Sequence, residues 1–265
     1  MLQKAALNLC CLDQVAQEKI WRDFYRSLEH LVMFFCTIPD IQIAGNSYVI
    51  IDRIEVRQGS AMSRILKVSR LEGLTDGVFA IAMTILALDM HIPFGTVPPD
   101  QLHHLMTGIY FKLLIYGGSF IILGTLWVAM NFQMGLLERL NRPYLWCHVF
   151  YLMTICVVPF SSSLIAGFTS SRVSIMFYAL NLLCASIMQL IICECAHYYH
   201  LNRDIYTPAV RRAVLQRIFV APPFYLASLM MAYWDTSIAF LLLILPTLIY
   251  IVPGYVDRFD KEVDN

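Results

Sequence analysis

Residues 113–137, LLIYGGSFIILGTLWVAMNFQMGLL, contain no Asp, Glu, Lys or Arg. A bilayer core about 30 Å thick is crossed by roughly 20 apolar helical residues, so this run is long enough to span a membrane. Four further charge-free runs have the same character: 143–171, 173–193, 218–234 and 236–256. The sequence therefore predicts an all-α protein that crosses the membrane several times.

An earlier segment, residues 71–93, supplies a sixth span, although Glu72, Asp76 and Asp89 lie near its ends. Carboxylates at membrane depth are tolerated where they face other helices or water. The prediction is a single six-helix domain over residues 62–265. Its spans are expected at 71–93, 113–137, 145–168, 173–195, 217–234 and 236–256.

The composition supports this class of protein. Of the 265 residues, 58% are hydrophobic and only 14% are charged, whereas a soluble domain carries about 25% charged residues. The 19 Lys and Arg balance the 19 Asp and Glu, so the basic surface of a nucleic-acid-binding protein is not expected. The phosphate-binding loops, metalloprotease motif and nucleophile elbow of common enzymes are missing from the sequence. We therefore expect neither an enzyme nor a bound cofactor.

The orientation follows from Lys and Arg, which mark cytoplasmic loops. They cluster before the first span and in alternate loops after it: Arg64, Lys67, Arg70, Arg139, Arg142, Arg203, Arg211, Arg212, Arg217, Arg258 and Lys261. Both termini are thus expected in the cytoplasm.

Residues 1–61 differ from the rest, with mixed charge and one short apolar run at 31–38. Eight apolar residues are too few to span a bilayer. Two interpretations stay open: a cytoplasmic or interfacial segment, or a natural start of translation at Met62.

One face of the first helix has a distinctive pattern. Gly77, Ile81, Thr84 and Leu88 are spaced i, i+4, i+7 and i+11, which places them in one continuous stripe. Such a stripe is able to line a narrow pore, but its spacing alone is more typical of a packing seam between membrane helices. Val78 and Phe79 lie off the stripe and are expected to face lipid.

A second group lies at the start of the same helix. Arg70, Thr75 and Asp76 are expected to meet Trp127 and Asn131, because antiparallel first and second helices bring these ends together. We predict that Arg70 pairs with Asp76 and that Asn131 and the Trp127 indole complete the network. The alternative for Arg70 is that its side chain extends to the lipid headgroups.

These residues resemble the first helix of the transmembrane protein 175 family, which begins with Arg, three residues and Phe-Ser-Asp. Arg70 and Asp76 match, while Leu74 replaces the aromatic residue and Thr75 replaces Ser. The resemblance continues through Trp127, Asn131 and residues 140–143. It implies a potassium-selective channel that is a homotetramer of six-helix chains, in a prokaryotic plasma membrane. It also implies that Ile81 forms the constriction, with Thr84 one turn further on and Leu88 as a second apolar layer.

The predicted function is a potassium channel subunit whose first helix lines a central pore. The Thr-Val-Gly-Tyr-Gly carbonyl filter is missing from the sequence, so selectivity is expected from apolar and hydroxyl side chains. The only partners expected are further copies of the chain and membrane lipid. A proton-coupled secondary transporter and a membrane scaffold without ion flux are the alternatives.

A last cluster, Cys193, His197 and His200, shares a helical face with spacing i, i+4, i+7 that suits metal ligands. A second cysteine pair with zinc-site spacing is missing from the sequence. A thiol-rich helix end is therefore favoured, and no metal site is predicted.

Overall fold

The computed structural model describes residues 67–88, 102–168 and 171–251. The predicted N-terminal segment 1–61, the loop after the first span and the last residues of the sixth span lie outside these ranges. The described helices are α1 (Val68–Leu88), α2 (Leu102–Gly135), α3 (Arg142–Gly167), α4 (Arg172–Tyr198), α5 (Pro208–Phe219), α6 (Ala221–Met231) and α7 (Thr236–Ile251).

The protein is all-α, with six apolar helical segments, as predicted. Five segments are long and apolar enough to cross a membrane, counting α5 and α6 together as Pro208–Met231, and α7 is a shorter apolar helix. The chain is an integral, multi-pass membrane protein.

Two segments differ from their predicted bounds. Helix α2 begins at Leu102, because Lys112 is a good helix former and does not end the helix, although it ends the charge-free run. The fifth segment begins at Pro208 and is divided at Val220. The next two residues after Ala221 are Pro222 and Pro223, whose missing N–H groups interrupt the helical hydrogen bonds.

Helix α4 is the centre of the bundle. It packs against α3, α5, α6 and α7, whereas α1 packs only against α2 and α3 among the helix pairs with substantial contact. Accordingly, 67% of the most apolar stretch of α4 is buried, against 28% of the corresponding stretch of α1. Helix α1 therefore has most of its surface outside the core of its own chain.

Local signals set the helix starts at the arginine-rich end of the bundle. The Asn141 side chain accepts a 2.9 Å hydrogen bond from the Tyr144 amide and caps α3, with Pro143 in the first turn. The loops after α2 and α4 join here, because the Arg203 amide donates to the Leu136 carbonyl at 2.9 Å. This contact holds the loop ends of four helices together.

Candidate functional site: the first helix and its anchors

Helix α1 has two sharply different faces. Its buried residues are Leu71, Thr75, Phe79, Ala82 and Leu86. The predicted stripe is exposed along its whole length: Gly77, Ile81, Thr84 and Leu88. At about 100° per residue, the centres of the two faces are about 150° apart around the helix. The stripe therefore points away from the core of the chain.

The exposure of the stripe is large. Ile81 is 60% exposed and Leu88 is 79% exposed, and Leu74 and Ile85 extend the apolar surface to one side. A Cβ added at Gly77 would meet no atom within 4 Å, so the chain itself does not require a glycine there. Nothing among the described residues of one chain explains the pattern of the stripe.

Phe79 is where the structure contradicts the sequence analysis. It was expected to face lipid, but it is 1% exposed, with its ring centroid 6.3 Å from that of Tyr151 on α3. Helical periodicity shows that Phe79 is not on the stripe, but it does not show which of the other faces of α1 packs against α3. The tertiary packing makes this choice.

The Thr84 hydroxyl is oriented by its own helix. It donates a 2.8 Å hydrogen bond to the Ile81 carbonyl on the exposed side of α1. Because its single proton is used in this bond, the lone pairs of the oxygen are free to face outward. An outward oxygen of this kind suits a cation better than an anion.

At the start of α1, Asp76 is tied to α2. The Trp127 indole Nε1–H donates a 2.9 Å hydrogen bond to Asp76 Oδ1. The structure does not bring the other predicted members together within one chain. Among the described residues, Arg70 makes no ion pair with Asp76 and Asn131 makes no hydrogen bond to it.

Thr75 contacts His148 on α3, whereas the sequence predicts contacts with Trp127 and Asn131 on α2. It is fully buried, its hydroxyl lies 2.7 Å from the Leu71 carbonyl, and its oxygen also lies 2.7 Å from His148 Nε2 on α3. If the hydroxyl donates to Leu71, His148 must donate from Nε2, which leaves Nδ1 as an acceptor. His148 Nδ1 is buried without a hydrogen-bond partner in the described part of the chain.

Sequence reasoning missed His148. It is the only histidine within the otherwise charge-free run 143–171, and a lone polar ring in a membrane span normally has a partner inside the bundle. The Tyr144 ring stacks on it at 6.0 Å and the Tyr151 ring lies 6.1 Å away. Thr75, His148 and these two rings therefore form the buried α1–α3 contact.

The thiol-rich end of α4 is organised around neighbours other than a metal. Cys193 Sγ lies 3.7 Å from the Tyr206 hydroxyl, and the His197 ring lies 6.0 Å from the Tyr206 ring. His200 follows the helix with a φ of 51°. Over the described ranges, no three His, Cys, Asp or Glu side chains are grouped as metal ligands.

Between the two cysteines, Glu194 forms a buried ion pair. Its Oε2 is 2.6 Å from Arg211 Nη2, and its side chain is only 3% exposed. This contact connects α4 to α5. Arg211, which the charge pattern predicts in a cytoplasmic loop, lies on α5.

Comparison with known proteins gives matches over the first half of the bundle. Residues 70–159 match the family described as "Endosomal/lysosomal potassium channel TMEM175". This match begins at Arg70 and contains the stripe, Trp127, Asn131 and His148.

Curated relatives match the same part of the chain. A protein named as a potassium channel from Streptomyces collinus is 30% identical over 99 residues, which are 37% of this chain and 48% of the relative. Another so named, from Chamaesiphon minutus, is 29% identical over 114 residues, 42% of this chain and 56% of the relative. The matched stretch thus spans about half the length of these relatives.

A solved structure shares the fold over a longer range. It is described as the crystal structure of a lysosomal potassium-selective channel TMEM175 homologue from Chamaesiphon minutus. The two structures superpose with a TM-score of 0.62 at 21% identity, covering 69% of this chain and 95% of the other. Residues 70–159 thus match the TMEM175 family model, and the solved structure shows that the fold is shared over a longer part of the chain.

Proposed function

We propose that the chain is one subunit of a homotetrameric potassium-selective channel, with the stripe on α1 facing a central pore. One observation carries this proposal: Gly77, Ile81, Thr84 and Leu88 form an exposed face of a spanning helix, almost opposite its buried face. The relatives named as potassium channels support the permeant ion. The positions of Lys and Arg favour a cytoplasmic location for both termini, and the bacterial relatives support a prokaryotic membrane.

The need for several subunits follows from geometry. One helical stripe cannot enclose a pore, so copies of α1 must meet around an axis, and cyclic symmetry is the usual solution for identical chains. The exposed apolar side chains flanking the stripe, Leu74 and Ile85, provide surface for contacts between neighbouring first helices. The family resemblance implies four copies for a chain with one six-helix unit.

Selectivity in this arrangement comes from side chains. A ring of Ile81 residues strips part of the hydration shell from a passing ion, and potassium gives up water at a lower cost than sodium. The Thr84 oxygens, whose protons are engaged with the Ile81 carbonyls, replace some of the lost water. Leu88 adds a second apolar layer one turn beyond Thr84.

The test is potassium flux through purified protein in liposomes, followed by reversal potentials in planar bilayers. A channel passes current with a potassium-dependent reversal potential, a transporter couples potassium movement to a second ion, and a scaffold shows neither. Coupled transport or the absence of flux would overturn the proposal.

Substitutions then test the pore face. Ile81→Asn should raise the current and lower potassium preference, because a polar ring wets the constriction. Thr84→Ala should lower preference with a smaller rise in current. Ile85→Asn is the matched control, since Ile85 is also exposed but lies about 70° away from the stripe. A larger effect at Ile85 than at Ile81 would show that the pore face is elsewhere.

A further inference from the structure

A second feature lies away from the first helix, in a partly open cavity between α2, α4, α5, α6 and α7. Twelve residues line it, among them Thr125, Gln189, Arg217, Thr247 and Tyr250. The residues of α2 that line this cavity come from its second half, which also contains Trp127. This is the arginine-rich end of the bundle, which the positive-inside rule places toward the cytoplasm.

The cavity contains hydrogen-bond donors without acceptors. Gln189 and Thr247 are each 3% exposed. Gln189 Nε2 and Thr247 Oγ1 are buried and have no hydrogen-bond partner in the described part of the chain. A buried amide N–H group that lacks an acceptor is costly, so native structures normally provide one.

Arg217 adds a positive charge to the same lining. It is half-buried within the Pro208–Met231 segment, and its guanidinium carbon lies 4.0 Å from the centroid of the Tyr250 ring. Among the described residues, no Asp or Glu forms an ion pair with it. A guanidinium in a spanning segment favours a nearby anion, and basic pockets between membrane helices on the cytoplasmic side bind anionic headgroups.

Within the described ranges, Gln189, Thr247 and Arg217 therefore share the need for a hydrogen-bond acceptor, and the charge of Arg217 favours an anionic one. We infer that this cavity binds a terminal phosphate group, with Arg217 supplying the charge and Gln189 and Thr247 supplying hydrogen bonds. Guanidinium matches phosphate geometry with two parallel N–H donors. Phosphatidic acid, whose headgroup is a phosphate monoester, and inorganic phosphate both present such a group, and the position inside a spanning segment favours the lipid.

Binding is measured on the purified full chain, independently of ion flux. Native mass spectrometry and thermal unfolding in detergent are compared with added phosphatidic acid, phosphatidylcholine and inorganic phosphate. Phosphatidic acid should bind at least about 10-fold more tightly than phosphatidylcholine and should raise the unfolding temperature. Equal protection by inorganic phosphate would assign the site to the free anion. Equal affinity for the two lipids, with no effect of phosphate, would overturn the inference.

Variants separate this site from general attraction to basic residues. Arg217→Gln should weaken phosphatidic acid binding by about 10-fold to 100-fold, the effect expected for losing hydrogen bonds to a charged group. Gln189→Leu should weaken it by about 3-fold or more, because one neutral donor is lost. Arg212→Gln, an exposed change on the same helix, is the control. If Arg212→Gln weakens binding as much as Arg217→Gln, the interaction is a general surface effect and the site is wrong.

Each variant is first compared with the unaltered chain by unfolding temperature without lipid. If Arg217→Gln is unfolded, the inference is tested by comparing phosphatidic acid binding by Gln189→Leu with that by Arg212→Gln. Neither of these changes removes the cation–π contact between Arg217 and Tyr250.

Discussion

Trp127 and Asp76, separated by 51 positions in the sequence, are joined by a 2.9 Å hydrogen bond between the indole Nε1–H and Oδ1. The contact connects the first half of α1 to the second half of α2, as expected for consecutive spanning helices that run antiparallel. Asp76 immediately precedes Gly77, and about 100° of helical rotation separates neighbouring residues. Anchoring Asp76 on α2 therefore helps to turn the stripe away from the core.

The first prediction concerns this anchor. Asp76→Ala should destabilise the protein by about 1 kcal/mol, the usual net value of a hydrogen bond at a partly exposed position. Asp76→Asn should cost less, because it keeps the acceptor oxygen and Asp76 has no ion pair with Arg70 to lose. The measurement is chemical unfolding in detergent. An Asp76→Asn variant that is as unstable as Asp76→Ala would mean that the charge matters through a contact outside the single chain.

The second prediction tests the buried contact between Thr75 and His148. Thr75→Val keeps the shape of the side chain but removes the only hydrogen-bond partner of the His148 ring in the described chain, at a cost of about 2 kcal/mol. Thr154→Val is the control, because the Thr154 hydroxyl bonds to the Tyr151 carbonyl of its own helix.

The same pair allows a double-mutant cycle. Combining Thr75→Val with His148→Phe should cost less than the sum of the two single changes, since removing both partners leaves no orphaned polar group. Strict additivity in unfolding free energies would contradict a direct Thr75–His148 interaction.

A third prediction addresses assembly around α1. In a background without other cysteines, Ile81→Cys should form disulfide crosslinks between chains, because equivalent positions meet near a symmetry axis. Leu180→Cys on α4, where Leu180 is 47% exposed, should not. Phe79 is unsuitable as a control, since it belongs to the core. Products are resolved by non-reducing electrophoresis, and equal crosslinking at positions 81 and 180 would exclude the proposed axis.

The fourth prediction compares two ion pairs. Glu194→Gln should destabilise the fold by about 3 kcal/mol, because it leaves the Arg211 charge without its buried partner. Glu138→Gln should change stability by less than about 0.5 kcal/mol, because Glu138 and Arg139 are mostly exposed and 3.9 Å apart. Similar losses for the two variants in chemical unfolding would show that the α4–α5 contact does not depend on this pair.

The sequence alone determined the features that arise over a few neighbouring residues. Charge-free runs located five of the six apolar segments, although not all of their ends, because an unpaired charge in hydrocarbon is costly wherever the helix packs. Asn141 and Pro143 determined the start of α3, since capping needs only the adjacent backbone. The helical period placed Gly77, Ile81, Thr84 and Leu88 on one face.

Only the tertiary structure decided which face of each helix is buried and which distant residues meet. Phe79 and Ile81 are both large and apolar, so hydrophobicity did not show that the first packs on α3 while the second is exposed. The partners of Thr75 and Glu194 lie on other helices, 73 and 17 positions away. Periodicity describes each helix by itself, but such contacts depend on how helices rotate and approach one another, which is determined by the packing of the whole bundle.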